Sequence, residues 1–336
     1  MQSNADRKVG PREQFRQRSG GPASHPLNRN HSMTTVLALF ALAPLTMDKT
    51  VELPKAGGFD AMAFDSTNHR VLAAHSGANT LAILDTETGK AQEIETGSIN
   101  GIAVSKKLNR YFVAGGNKEL IAIDSQTLKI VGRTTLAAPA DLVAVDTKRG
   151  QVIVCEDDGT NDWVFDATTL APVGSIKIEE APEFLEYDKT TDRIYQNIKS
   201  TDHLQVIDPE TRKVVASWNT APMKSPHGLV LDKKAGRAYS AGKNGKLIVL
   251  DMATGKILKE VDIAAGTDGI AIDTKLGRVY CPGKGKLTVV ATADGSVLGE
   301  VPLPDGAKNC TVDSTSSTVW VNVSDPKGAR LVSFRP

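Results

Sequence analysis

One unit of about forty residues repeats seven times between Gly58 and the C-terminal residues, and this period constrains the fold more than any other feature of the sequence. Each copy carries an apolar run ending in Asp or Ser. AMAFD ends at Asp65, GIAVS at Ser105, LVAVD at Asp146, FLEYD at Asp188, GLVLD at Asp232, GIAID at Asp273 and CTVD at Asp313. Successive markers are 40, 41, 42, 44, 41 and 40 residues apart. Five residues beyond them stand Arg70, Arg110, Arg193, Arg237 and Arg278, with Gln151 and Thr318 in the other two copies. A second apolar run recurs nearly in phase, ending at Asp85, Asp124, Asp166, Asp208, Asp251 and Ala291. A constant period of this size belongs to solenoids, propellers and arrays.

Each copy holds four short, β-branched apolar segments bounded by turn residues. In the first copy they are FDAMAFD, RVLAAH, TLAILD and AQEIET. Such runs read as strands, and none is long and periodic enough for a helix. DTETGK (Asp85 to Lys90) and KNGK (Lys243 to Lys246) supply the positive-φ positions that tight antiparallel turns require. One four-stranded sheet cannot bury both its faces alone, so seven must stack in a ring. The expectation is an all-β, seven-bladed β-propeller with four antiparallel strands per blade. The seventh copy runs out after its third strand, at Leu331 to Phe334, and the missing strand is found ahead of the first copy, as KTVELP (Lys49 to Pro54). The N-terminal strand should therefore close the last blade and cover its open edge. The sequence divides into a disordered or targeting segment, 1–46, and the propeller, 47–336.

Residues 1–32 are polar and aperiodic, which suits disorder. The run VLALFALAPL (Val36 to Leu45) is too short for a stable membrane span but suits the apolar core of a secretory signal. It points to a periplasmic or extracellular location. A formal net charge of +1 gives no bulk attraction to nucleic acid or membrane, and no nucleic-acid-reading motif is present. The chain is expected to be a monomer. Cys155, Cys281 and Cys310 fall in separate copies within strand patterns, and an odd count without Cys-x-x-Cys suits buried free thiols. GKNGK and GKGK lack the order of a phosphate loop, and no Gly-x-Ser-x-Gly occurs.

The candidate site emerges only when the copies are aligned. Five residues before each marker stand Asp60, Asn100, Asp141, Glu183, His227, Asp268 and Lys308, all polar or charged. First strands line a propeller's channel, so equivalent positions should form one ring at one height. Asp60, Asp141, Glu183 and Asp268 bring oxygen ligands for a divalent cation, calcium or magnesium, with His227 as a further ligand or proton carrier. Asn100 and Lys308 complete the circle as ligand-binding positions. Loops joining second and third strands should open on the same face and add His75, Glu156 and His203. The acidic stretch EDDGTND (Glu156 to Asp162) lacks the alternating oxygens of a calcium loop.

GIAIDTKLGRVYCPGKGKLTVV (Gly269 to Val290) and LQVIDPETRKVVASW (Leu204 to Trp218) resemble the YVTN-type β-propeller repeat, and the resemblance covers about residues 47–336. It implies a propeller of the kind exported by bacteria and archaea. In architecture such repeats are similar to lactonase and quinoprotein dehydrogenase-like propellers. A fold of this kind hosts many chemistries, so function rests on the site. Two readings follow. In the first, the chain is an exported binding or interaction module holding a small molecule or protein partner on its loop-rich face at the channel. In the alternative, it is a metal-dependent hydrolase or lyase of the lactonase type, with a cation polarising a carbonyl and His227 or a carboxylate moving the proton.

Overall fold

The computed structural model describes residues 45–336. These form seven separate four-stranded antiparallel sheets. Blade 1 holds the four strands between Met62 and Glu95, and blades 2 to 6 follow in order along the chain. Blade 7 takes three strands from the C-terminal end and its outer strand, Thr46–Glu52, from the N-terminal end. That strand lies antiparallel to Gly328–Arg335, with Thr46 opposite Arg335 and Glu52 opposite Arg330. Split closure is therefore as expected, with the closing strand starting three residues earlier than KTVELP. Apart from Leu45, the apolar run Val36 to Leu45 lies outside the described residues, as does the rest of the segment 1–44. Among the described residues no helix is long and apolar enough to cross a membrane.

The core lies between blades. Among the described residues there are seven apolar clusters, and each fills the gap between two neighbouring blades. Leu72 and Ile83 of blade 1 pack with Tyr111 and Ile121 of blade 2. Phe59 and Val71 of blade 1 pack with Trp320 and Leu331 of blade 7, which closes the circle. Inner strands read as near-continuous apolar runs because both faces of each sheet are covered, whereas fourth strands alternate. Lys213–Asn219, for example, runs exposed and half-buried by turns.

The repeated polar residues are explained by local geometry. Marker aspartates cap the turn after the first strand: Asp65 Oδ1 accepts from the backbone N–H of Thr67 at 2.9 Å, and Asp146 Oδ1 from Lys148 and Arg149 at 2.9 and 3.0 Å. The recurring arginines reach sideways. Arg110 of blade 2 donates to the carbonyls of Ala167 and Thr168 in blade 3, at 2.8 and 2.7 Å. Arg70 makes the same reach to Ser125, and Arg237 to Thr292. Each fastens the turn after the next blade's third strand, where the end of the strand ladder would otherwise leave carbonyls unpaired. Cys155, Cys281 and Cys310 are free and buried.

Candidate functional site at the channel mouth

The ring position lies where the first strand of each blade begins, and the backbones there are knitted blade to blade. Ala61 N–H donates to Asn100 O at 3.1 Å, Asp268 N–H to Lys308 O at 3.1 Å, and Asn322 Nδ2 to Asp60 O at 3.1 Å. Asn197 Nδ2 holds His227 O at 2.8 Å. Small residues allow this approach. A Cβ on Gly101 would meet Asp141 O at 2.5 Å, so any side chain there would push blades 2 and 3 apart.

Asp60, Asp141, Glu183, His227, Asp268 and Lys308 feel one another's charge across the channel mouth, but they are not equivalent. Asp268 on blade 6 is ion-paired with Lys308 of blade 7 at 2.6 Å and with Lys243 of blade 5. Burial works to raise its carboxyl, but the two ammonium groups outweigh burial and hold it well below the usual range. Glu183 on blade 4 meets Lys199 at 3.0 Å, and Lys199 also holds Asp158 at 2.8 Å. Burial prevails over that lysine and raises Glu183 to about 7. His227 on blade 5 points Nδ1 at Ser225 O, 2.8 Å away, so Nδ1 carries the proton and Nε2 the lone pair. Its Nε2 lies 3.5 Å from Glu183 Oε1. Burial and the nearby Lys243 lower the imidazole to about 4, which keeps it neutral.

The arc formed by blades 1 to 3 is different. Among the described residues the carboxyls of Asp60 and Asp141 have no hydrogen-bond or ion-pair partner. Burial, then the Asp268 carboxylate, raises Asp60 to about 7. Burial, then Glu183 and Asp60, lifts Asp141 well above the usual carboxylate range. Asp141 is only 7% exposed. Asn100 stands between them and donates Nδ2 to Ala140 O at 3.5 Å. Beneath this layer lies a cavity of about 530 Å³ to which all seven first strands contribute, from Met62 in blade 1 to Cys310 in blade 7. The lining begins one or two residues past the ring positions, so the ring is a separate layer above it.

The lysines Lys199 and Lys243 were not among the expected site residues, yet the same repeat count finds them. Eleven residues beyond the markers stand Asp157, Lys199, Lys243 and Lys284. They occupy the loops after second strands, and two of them supply the counter-charge that a bare ring of acids lacks. Among the described residues no three His, Cys, Asp or Glu side chains converge on a point that could hold a metal ion.

The three loop positions are not brought to the ring. His75 is fully buried inside blade 1, with Nδ1 2.8 Å from Glu93 Oε1, Nε2 3.2 Å from Gly57 O, and its ring stacked on Phe59. It ends its strand facing the sheet interior instead of the loop. Glu156 curls back on its own turn, accepting from Thr160 N–H at 3.0 Å and Asn161 Nδ2 at 2.8 Å. His203 begins a third strand, where Nδ1 meets Glu179 Oε2 at 3.0 Å, away from the channel. His75 has both ring nitrogens partnered, while Glu156 uses Oε2 and His203 uses Nδ1 in these contacts, so the ligand-binding role expected of the three finds no common site at the ring.

No protein-family model matches the chain. Over 135 residues it is 31% identical to the uncharacterized protein YncE of Escherichia coli O157:H7, a stretch covering 37% of each chain. YncE of Salmonella typhi shows 30% identity over 134 residues, again 37% of each. The chain thus spans little more than a third of the length of the curated relatives it matches. Among solved structures, the β-propeller domain of Myceliophteria thermophila Cps50 (Swd1) superposes with a TM-score of 0.72 at 13% identity, covering 87% of this chain and 100% of that one. At that identity the likeness is one of fold alone. Sequence and structure together make this chain a seven-bladed β-propeller with partial sequence similarity to YncE.

Proposed function

We propose that this propeller is a binding module whose small ligand sits on the channel-mouth ring. One observation carries the reading: Asp141 is a buried carboxyl, aimed at a shared opening, with no partner among the described residues. Burying an ionisable group without a partner costs stability, and such groups concentrate where a ligand supplies what the protein withholds. The lactonase-type reading is weaker, because it needs a cation where Lys199, Lys243 and Lys308 already supply counter-charge. The repeats themselves are read as YVTN-type, on the pattern of Leu204 to Trp218.

A thermal-shift screen tests the site. The panel should span organic cations, calcium and magnesium, neutral sugars, lactones and small organic anions, each also run against Asp141→Asn. The reading expects one class to raise the melting temperature in the parent and not in the variant. Ligands that stabilise both proteins equally would place binding elsewhere. A periplasmic or extracellular location is what the Val36 to Leu45 run supports. Fractionation of producing cells should find the chain outside the cytoplasm, and a cytoplasmic product that retains this run would refute export.

A further inference from the structure

The geometry points to a second binding site, in the cavity below the ring, for an uncharged aromatic alcohol whose hydroxyl bridges Glu186 and Lys233. This goes beyond the channel-mouth reading and stands without it. The cavity is walled largely by apolar side chains, among them the half-buried Met62, Phe64, Val104, Val145, Ile272 and Val312. Its charged lining residues are Glu186, Lys189 and Lys233. Lys189 and Lys233 stand in exposed turns just past the first strands of blades 4 and 5, so the cavity reaches solvent at the end of the channel away from the ring. Towards the ring it meets Phe184. A Cβ on Gly269 of blade 6 would lie 3.2 Å from Phe184 Cζ, so this side chain reaches from blade 4 past blade 5. Phe184 takes the repeat position that Gly228 and Gly269 hold in blades 5 and 6, and Gly269 leaves it room.

Glu186 is the odd member of its own repeat position. Two residues before the marker, the other copies carry Ala63, Ala103, Ala144, Val230, Ala271 and Thr311. Blades therefore pack there with small or apolar uncharged side chains, and a carboxylate answers no demand of the repeat. Its side chain is 32% exposed although it lies on an inner strand, and the open space beside it is the cavity it lines. Glu186 Oε2 stands 3.5 Å from Lys233 Nζ. That is beyond the about 2.7–2.9 Å of a direct charge-assisted hydrogen bond. Lys233 Nζ donates to Tyr187 O at 2.9 Å, which fixes it beside the carboxylate with further N–H donors to give. Acceptor and donor thus flank one gap on the cavity wall.

A hydroxyl donates and accepts at a single oxygen, so it gives its proton to Glu186 and takes a hydrogen bond from Lys233 at once. A carboxylate head would face Glu186 and an ammonium head would face Lys233, like charges in each case. A molecule without a polar group leaves the pair as it is and gains only apolar contact. The cavity, at about 530 Å³, falls in the range of about 300–1,000 Å³ of small-ligand sites, which set a few polar groups in an apolar wall. Phe184 offers its face or edge to an aromatic body, a pairing favoured at centroid separations of about 4.5–7 Å.

Fluorescence titration of the full chain with 2-naphthol, naphthalene, 2-naphthoate and 2-naphthylmethylammonium tests this assignment. 2-Naphthol should bind saturably and at least about tenfold more tightly than the other three, as hydrogen bonds to charged groups imply. Glu186→Ala gives blade 4 the residue that Ala63, Ala103, Ala144 and Ala271 supply elsewhere, and Lys233→Met keeps the aliphatic stem. Each should cut the preference over naphthalene to about twofold or less, since a hydrogen bond is lost. Ala144→Phe, which fills the cavity from blade 3, should abolish binding of 2-naphthol. Asp262→Asn, on the outer strand of blade 5, should leave it unchanged. If Ala144→Phe does not melt cooperatively, the Glu186 and Lys233 variants decide. Equal affinity for 2-naphthol and naphthalene in the parent would overturn the hydroxyl bridge, and tighter binding of either charged probe would overturn the uncharged class. A preference untouched by Glu186→Ala and Lys233→Met would overturn the pair as its holder. Binding that survives Ala144→Phe and is lost in Asp141→Asn would put the ligand on the ring and overturn the cavity site. If none of the four probes binds, the cavity site falls, and the ring keeps its own test.

Discussion

Asp60, Asp141 and Asp268 occupy one repeat position, and their neighbours give them opposite effects on stability. Asp60 is raised to about 7, and Asp141 well above the usual range, both chiefly by burial. The folded chain therefore holds their protons where the unfolded chain has released them. For Asp60, stability falls as pH rises from about 4 through about 7, and for Asp141 the fall begins at the same unfolded value and ends at its own raised one. Replacing either with Asn should raise stability at pH 8 by about 1–3 kcal/mol and change it little at pH 4. Asp268 behaves in reverse, since Lys308 and Lys243 hold its carboxyl down and its stabilisation is present above the unfolded value. Asp268→Asn should cost about 1–3 kcal/mol at pH 7, because it strands two lysines. Urea melts of the three variants at pH 4, 7 and 8 check both signs. If all three shift stability the same way, the division of the ring is wrong. The ring itself was legible in the sequence, because counting back from seven markers needs only the period. Its division was not: Lys243 and Asp268 are 25 residues apart on different blades, and only the closed circle makes them neighbours. The same holds for His75, whose loop address was readable while its side-chain direction, onto Phe59, was set by packing.

At the scale of the strand and its turn, one side chain does the work of joining modules. Arg110, Arg70 and Arg237 leave their own second strands to hold carbonyls of the next blade's third-strand turn. Their recurrence was plain in the sequence, but a strand-end arginine gives no sign of its partner. The acceptor lies 55 to 58 residues away, in the following copy. Arg110→Met keeps the aliphatic stem and removes the bonds to Ala167 and Thr168. It should lower stability by about 1–3 kcal/mol, as hydrogen bonds from a charged donor do. Denaturant unfolding measures the cost, and hydrogen exchange should show the faster amides in the turn near Ala167. Loss confined to blade 2 would mean that the arginine stabilises its own sheet only. Marker aspartates serve a more local end, since Asp65 and Asp146 bond backbone two and three residues on. Here sequence and structure agree closely, because a turn cap acts within the span that a sequence window covers.

For the molecule as a whole, the apolar clusters between blades make stability a property of the closed ring. Deleting residues 46–52 removes the outer strand of blade 7 and bares the edge of Gly328–Arg335. The shortened protein should melt at a lower temperature and form aggregates on heating, which calorimetry and light scattering would register. An unchanged melting curve would show that closure does not depend on this pairing. The closing sheet also has a consequence in time. Six blades are assembled from hairpins whose strands are made one after another, and each is finished soon after it is begun. The seventh joins Lys49 to Ser333, 284 residues apart. Of the described strands, Thr46–Glu52 is made first and is among the last to find its partner. Until Gly328–Arg335 is made, that strand has no neighbour in blade 7 to pair with, and the ring cannot be locked.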